Sequence, residues 1–208
     1  MTDTDLSRRY WLKAAGISWV AVQWPRPLAA LAAERETGPQ VLNPAEWGTV
    51  EALCARIIPT DQEPGAREAG CVNFIDKALA HEDKAALPNY REGLAMLDQC
   101  CLAAHGKSFA ALTDATQDAV MHALEAGTLS GWQAQVRAQD LFATLRFHTL
   151  AGFLADPKYG GNRGYSGWRV VGFPGPLHHL GGADAAMMQG RKPVPVIWKD
   201  SRPDHGDR

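Results

Sequence analysis

Apolar residues recur at helical spacing along most of the chain between residues 43 and 156. Asn43-Pro44-Ala45-Glu46 predicts a helix start: an Asn N-cap, Pro in the first turn, and Glu three residues after the cap. Trp47, Val50, Leu53, Ile57 and Ile58 follow at helical intervals and stop before Pro59. A turn through Pro64-Gly65 leads to a second helix, with Phe74, Ile75, Ala78 and Leu79 on one side. Tyr90, Leu94, Leu97 and Cys101 mark a third, closed by Gly106. Thr113-Asp114 caps a fourth, with Gln117 in capping-box position to Asp114, and it runs to Gly127. The longest helix is expected from Trp132 to about Asp156, carrying Val136, Leu141, Phe142, Leu145, Phe153 and Leu154 and ended by Pro157. No strong alternation of period two precedes residue 165. The pattern predicts a mainly α fold: a compact helical domain of about five helices.

The pattern changes at Pro157. Residues 157–208 hold 10 of the 20 glycines and 6 of the 13 prolines, so this segment cannot be helical throughout. One short strand is expected at Trp168–Phe173. The rest reads as a long Gly/Pro-rich irregular C-terminal segment that needs a surface to lie on, the usual mark of a binding region.

The other end carries an address. Ser7-Arg8-Arg9-Tyr10-Trp11-Leu12-Lys13 reads as a twin-arginine export signal, with Leu12 and Lys13 completing the pattern begun by Arg8 and Arg9. A short apolar stretch from Ala14 to Trp24 follows, and Ala30-Leu31-Ala32 resembles a cleavage site before Ala33. The competing reading is an amphipathic helix that happens to contain Arg-Arg. The divisions expected are therefore 1–32 signal segment, 33–156 helical domain beginning with a polar linker, and 157–208 loop-rich tail. The twin-arginine route carries folded cargo, so a chain bearing this label binds a cofactor or travels with a protein that does. The expected location is the periplasm.

Composition narrows the alternatives. The chain has 208 residues, 21 Lys+Arg against 23 Asp+Glu, and a net charge of −2, so there is no global basic excess to draw it onto nucleic acid. At 46 % apolar it can bury a sizeable core, yet no run of about 18 apolar residues suits a membrane span. No dinucleotide, P-loop, zinc-protease or nucleophile-elbow motif is present, and no CxxCH for covalent haem. Gly160-Gly161-Asn162-Arg163-Gly164 follows a helix rather than a strand, the wrong setting for a phosphate turn. His148 reads as a hydrogen-bonded helix residue, and His178-His179 as loop or interface residues; neither set supplies three converging metal ligands. In an oxidising compartment a disulfide joining Cys71 to Cys100 or Cys101 competes with free thiols, and Cys54 reads as a small core residue.

Two stretches resemble a known family. They are Ile57-Ile58-Pro59-Thr60-Asp61 through Phe74-Ile75-Asp76, and Asp156-Pro157-Lys158-Tyr159-Gly160-Gly161-Asn162 followed by Gly167-Trp168-Arg169-Val170-Val171-Gly172-Phe173-Pro174-Gly175-Pro176. With the leader, they are similar to the gluconate 2-dehydrogenase subunit 3 family, the small subunits of bacterial flavin-dependent sugar and sugar-acid dehydrogenases. The resemblance implies a non-catalytic subunit with no cofactor of its own. Its partner would be a large FAD-containing subunit of the glucose-methanol-choline type, which it helps to mature and to export through the twin-arginine machinery. A c-type cytochrome with haem c would take the electrons. The partner surface is then expected at 157–176, with Tyr159, Trp168 and Phe173 as aromatic anchors and Gly160, Gly161, Asn162, Pro174 and Gly175 shaping the backbone. The alternative is that Trp168 and Phe173 fold back as a lid on this chain's own helices. Two other functions stay open: a stand-alone periplasmic helical binding protein, and a small enzyme using His148, His178 or His179.

Overall fold

The computed structural model describes residues 39–176 and 184–198. Arg8, Arg9, Leu12, Lys13, His178 and His179 lie outside the described residues.

Helix α1, Pro44–Ile57, starts as its capping residues demand. The Asn43 side chain accepts from the backbone of Ala45 and Glu46, both at 2.9 Å, and the Glu46 carboxylate accepts from Asn43 N–H at 2.8 Å. Helix α2, Cys71–Ala80, follows Gly70, whose left-handed φ of 67° lets the chain turn into it. Helix α3, Leu87–His105, is the longest among the described residues at 19 residues and stops at Gly106, again left-handed at φ 70°. Helix α4, Asp114–Ala126, is capped by Thr113, whose hydroxyl accepts from Thr116 N–H. Gln117 makes no capping box; its amide turns inward and donates to the carbonyl of Phe109 at 3.0 Å.

Helix α5 spans Ala138–Leu154, six residues shorter at its start than the apolar spacing predicts. The reason is tertiary. Trp132 Nε1–H donates to the carbonyl of Val136, and the backbone N–H groups of Gln133 and Gln135 go to the Met96 sulfur and the Glu92 carboxylate of α3. Those donors are satisfied without a helix. Beyond α5 the expected strand is absent: Ser166–Val171 is a short helix, α6, and Ala185–Met188 is a final turn, α7. No strand occurs among the described residues.

Helix α5 is central, flanked by α2 and α4 and touching α1, α3 and α6. The core is built from Leu53, Ile75, Leu79, Leu97, Phe109, Leu124, Leu141, Leu145 and Phe153, each almost fully buried. Two polar devices tie elements together. Arg56 on α1 forms a bidentate pair with Asp118 at 2.6 and 2.7 Å and reaches Asp114 at 2.8 Å, both on α4; the bond to Asp118 holds its guanidinium still more firmly protonated. Buried Asp76 accepts backbone N–H bonds from Gln40, Val41 and Leu42 at 2.6, 3.1 and 2.9 Å. That carboxylate fixes where the chain enters the domain. No helix among the described residues is long and apolar enough to cross a membrane.

Candidate functional site

A helix leaves its last carbonyls without intrahelical partners. At the end of α5 two of them are taken by side chains from further along the chain. Leu154 C=O accepts from Trp168 Nε1–H at 2.6 Å, and Ala155 C=O accepts from the Asn162 amide at 2.8 Å. The Asn162 side-chain oxygen in turn accepts from the backbone N–H of Gly167 at 2.9 Å and of Trp168 at 3.4 Å. Asn162 is fully buried with φ 47°, a left-handed setting that asparagine tolerates better than most residues. One amide thus ties a helix end to the helix that covers it.

Glycines set the clearance. A Cβ on Gly161 would lie 2.1 Å from the carbonyl oxygen of Gly152, and one on Gly167 would lie 1.7 Å from that of Phe153. Arg163 N–H adds a bond to the carbonyl of Ala69, which ties the segment to the approach to α2. Asp156 caps the turn Pro157–Tyr159 by accepting from Lys158 N–H. After α6, Phe173 N–H returns to the carbonyl of Trp168, and Ile197 N–H bonds the carbonyl of Pro174 beside Gly175.

Trp168 is 3 % exposed. Its ring stacks on Tyr165, with centroids 5.5 Å apart, and meets Phe173 edge-on at 5.0 Å. The indole is therefore a lid on this chain's own helices, and its surface is already spent. Asn162, Gly161 and Gly175 are buried too, while Gly160, Phe173 and Pro174 are half-buried. Tyr159, at 42 % exposed, is the one expected anchor that is open to solvent, with the Lys158 ammonium 5.0 Å from its ring centre.

His148 sits in a second cluster. Its Nδ1 lies 2.7 Å from the Tyr90 hydroxyl and its Nε2 lies 2.7 Å from Asp83. An ionised carboxylate only accepts, so Nε2 carries the proton and Nδ1 accepts from Tyr90 O–H. Burial, with the neighbouring Cys54 and Asp83, pushes the Tyr90 phenol well above its ordinary range. Both imidazole nitrogens are engaged, which leaves His148 no lone pair for a metal or a substrate. The cluster joins α3, α5 and the turn after α2. Among the described residues no group of three or more His, Cys, Asp or Glu could hold a metal ion.

The disulfide expected for Cys71 with Cys100 or Cys101 is not formed: all four cysteines are free and buried. Cys71 feels Cys54 across the α1–α2 packing, whereas Cys100 lies on α3 beside Gly131. Burial pushes the Cys54 thiol up to about 12 and that of Cys101 up to about 11, and raises those of Cys71 and Cys100 as well. These are neutral thiols filling space, not nucleophiles.

Sequence reasoning missed two features here. The inward role of Asn162 was signalled only by its place among glycines. The exposure of Phe147, 65 % on the central helix, has no signal in the apolar spacing around it. A family model described as gluconate 2-dehydrogenase subunit 3 matches residues 44–175, from the first residue of α1 to the end of the segment that closes α5. No curated protein and no solved structure matches the chain.

Proposed function

The chain belongs to the gluconate 2-dehydrogenase subunit 3 family, small subunits of dehydrogenase complexes, and from that premise we propose that it escorts a catalytic flavoprotein. In this reading it is the non-catalytic small subunit of a periplasmic sugar or sugar-acid dehydrogenase. FAD resides in a large glucose-methanol-choline-type partner, and electrons leave that partner for haem c in a cytochrome. The family match carries the reading. Arg8 and Arg9 support it, because a folded-cargo signal on one subunit can export a second only when the two are already bound.

The described polar groups are compatible with such a division of labour. Asn162, Trp168, Asp76, Arg56 and His148 all spend their bonds within the chain.

The test is export. In a strain making both subunits, Arg8→Lys with Arg9→Lys should leave this chain and the flavoprotein in the cytoplasm, with flavin absorbance missing from the periplasmic fraction. A flavoprotein that still reaches the periplasm would overturn the escort reading.

A further inference from the structure

Residues 132–137, Trp-Gln-Ala-Gln-Val-Arg, are suited to a helix and do not form one. Gln, Ala and Arg are strong helix formers, Trp132 and Val136 stand at helical spacing, and no Gly or Pro interrupts the run. The segment lies outside any helix instead, and its side chains alternate: 133, 135 and 137 are exposed, 132, 134 and 136 half-buried. A local preference overridden by tertiary contacts leaves a segment with two conformations to choose between. What decides the choice is a short ladder of side chains on α3.

Glu92 and Met96 lie one turn apart on α3, about 6 Å along its axis, which matches the advance of two residues of an opened-out chain. The Glu92 carboxylate accepts from Gln135 N–H at 2.6 Å, and the Met96 sulfur accepts from Gln133 N–H at 3.0 Å. Cys100, on the next turn, lies beside Gly131, where an added Cβ would stand 3.7 Å from its sulfur. The two rungs differ in kind. A carboxylate is a strong acceptor, whereas a thioether is a weak one whose sulfur can be oxidised. The Met96 rung is at the surface, and among the described residues no other methionine sulfur holds a hydrogen bond.

We propose that Met96 is an oxidation site whose conversion to the sulfoxide releases residues 132–137 from α3. The oxidant is hydrogen peroxide. Its O–O bond breaks, one oxygen passes to the sulfur, whose electron pair forms the new S–O bond, and the other leaves as water. The 3.0 Å between sulfur and nitrogen has no room for that oxygen, because an N–H···O bond alone spans about 2.7–3.2 Å. With the oxygen on the other lone pair, the sulfur is positively polarised and holds the N–H less well. Either way the Gln133 rung opens, and Glu92 alone resists the segment's helix preference. A methionine sulfoxide reductase supplied with a dithiol reverses the step, the thiols becoming a disulfide and the oxygen leaving as water. The segment leads into α5, so the change reaches the central helix at its start. The proposal is independent of the escort reading.

The experiment treats the full chain with dilute hydrogen peroxide and follows oxygen addition by peptide mass spectrometry. Met188, 77 % exposed, should react first, Met96 next, and Met121, 7 % exposed, last. Once Met96 is oxidised, amide exchange at Gln133 should quicken about tenfold and at Gln135 several-fold. The amide of Gly167, bonded to Asn162, should exchange as before. Methionine sulfoxide reductase with dithiothreitol should restore both rates. Met187→Leu with Met188→Leu removes the other accessible sulfurs among the described residues and should leave the response intact. In Met96→Leu, which keeps the volume but has no sulfur, Gln133 should exchange fast from the start and ignore peroxide. If Met96 stays unmodified until Met121 reacts, it is no oxidation site and the proposal fails. Oxidised Met96 with an unchanged Gln133 amide overturns the release. A Gln133 rate that still quickens with peroxide in Met96→Leu assigns the effect to another group and overturns it too.

Discussion

The bundle of α1 to α5 and the segment from Ala155 to Pro176 are held by different means. In the bundle a residue such as Leu53 or Leu97 is surrounded by many apolar neighbours, and losing any one contact leaves the rest. In the segment, a few atoms carry the structure: one indole N–H, one amide, and two glycines with no room for a methyl group. The bundle is redundant and the segment is singular. Glycine shows the difference best. A Cβ on Gly48, in the interior of α1, would meet nothing within 4 Å, whereas one on Gly167 would lie 1.7 Å from the Phe153 oxygen.

The largest effect is expected from that pair. Gly167→Ala should force α6 off the end of α5, removing the cover on Leu154 and Ala155 and exposing the Trp168 ring. The loss should exceed about 5 kcal/mol, combining an aromatic truncation's worth of burial with reopened carbonyls. Gly48→Ala should instead stabilise by about 0.5–1 kcal/mol, since alanine is the better helix former and the space is free. Chemical denaturation of both variants checks the opposite signs; a mild Gly167→Ala would mean the segment can shift as a body.

The same division explains what could be read in the sequence. The start of α1 was legible because Asn43, Pro44 and Glu46 act on their immediate neighbours. The ends at Gly106 and Gly127 were legible for the same reason. The start of α5 was not, because the donors of Gln133 and Gln135 are captured by α3 residues about forty positions away. Gln117 stood in the right place for a capping box and was drawn inward by Phe109. Trp168–Phe173 carries β-branched and aromatic residues and reads as a strand. Asn162 and Gly167 set a helix there instead, through bonds that local propensity does not contain. The breaker-rich composition marked the segment as dependent on a surface, and that surface is α5.

Trp168→Ala comes next in size. The indole is buried among Tyr165, Phe173 and the end of α5, so its removal should lower the stability of the isolated subunit by about 3–5 kcal/mol. Helical content should fall only slightly, because α1 to α5 keep their own contacts. A melt that is unchanged, with flavoprotein binding lost, would return the indole to the role of an exposed anchor.

Alkaline pH probes the bundle's side of the contrast. Cys54 and Cys71 have folded-state values raised by burial, so their contribution is fully present below the ordinary thiol value and is lost as pH rises toward the folded value. Above about pH 8.5 the unfolded chain releases both protons while the folded chain keeps them. Each thiol then costs about 1 kcal/mol between pH 8.5 and 9.5, or about 2 kcal/mol for the two, and the slope approaches about 1.4 kcal/mol per pH unit per thiol only above that range. Denaturation midpoints across that range check the slope, and Cys54→Ala with Cys71→Ala should flatten it. A slope that survives in the double variant would assign the effect to other groups.

The smallest effect is expected at Tyr165, where the two kinds of stabilisation oppose each other at a single residue. Its φ of 59° puts a bulky side chain in the left-handed region, at a cost of about 1–2 kcal/mol, and its ring returns about 0.5–1.5 kcal/mol by stacking on Trp168. Tyr165→Gly removes the strain and the stacking together, so stability should stay within about 1 kcal/mol of the unaltered chain. Tyr165→Ala removes the stacking but keeps most of the strain, and should cost about 1–2 kcal/mol. The difference between the two variants reads the backbone strain directly, because both lack the ring. Equal stabilities would mean that the turn relaxes out of the left-handed region once the ring is gone, leaving Asn162 to hold α6 against α5 without help from Tyr165.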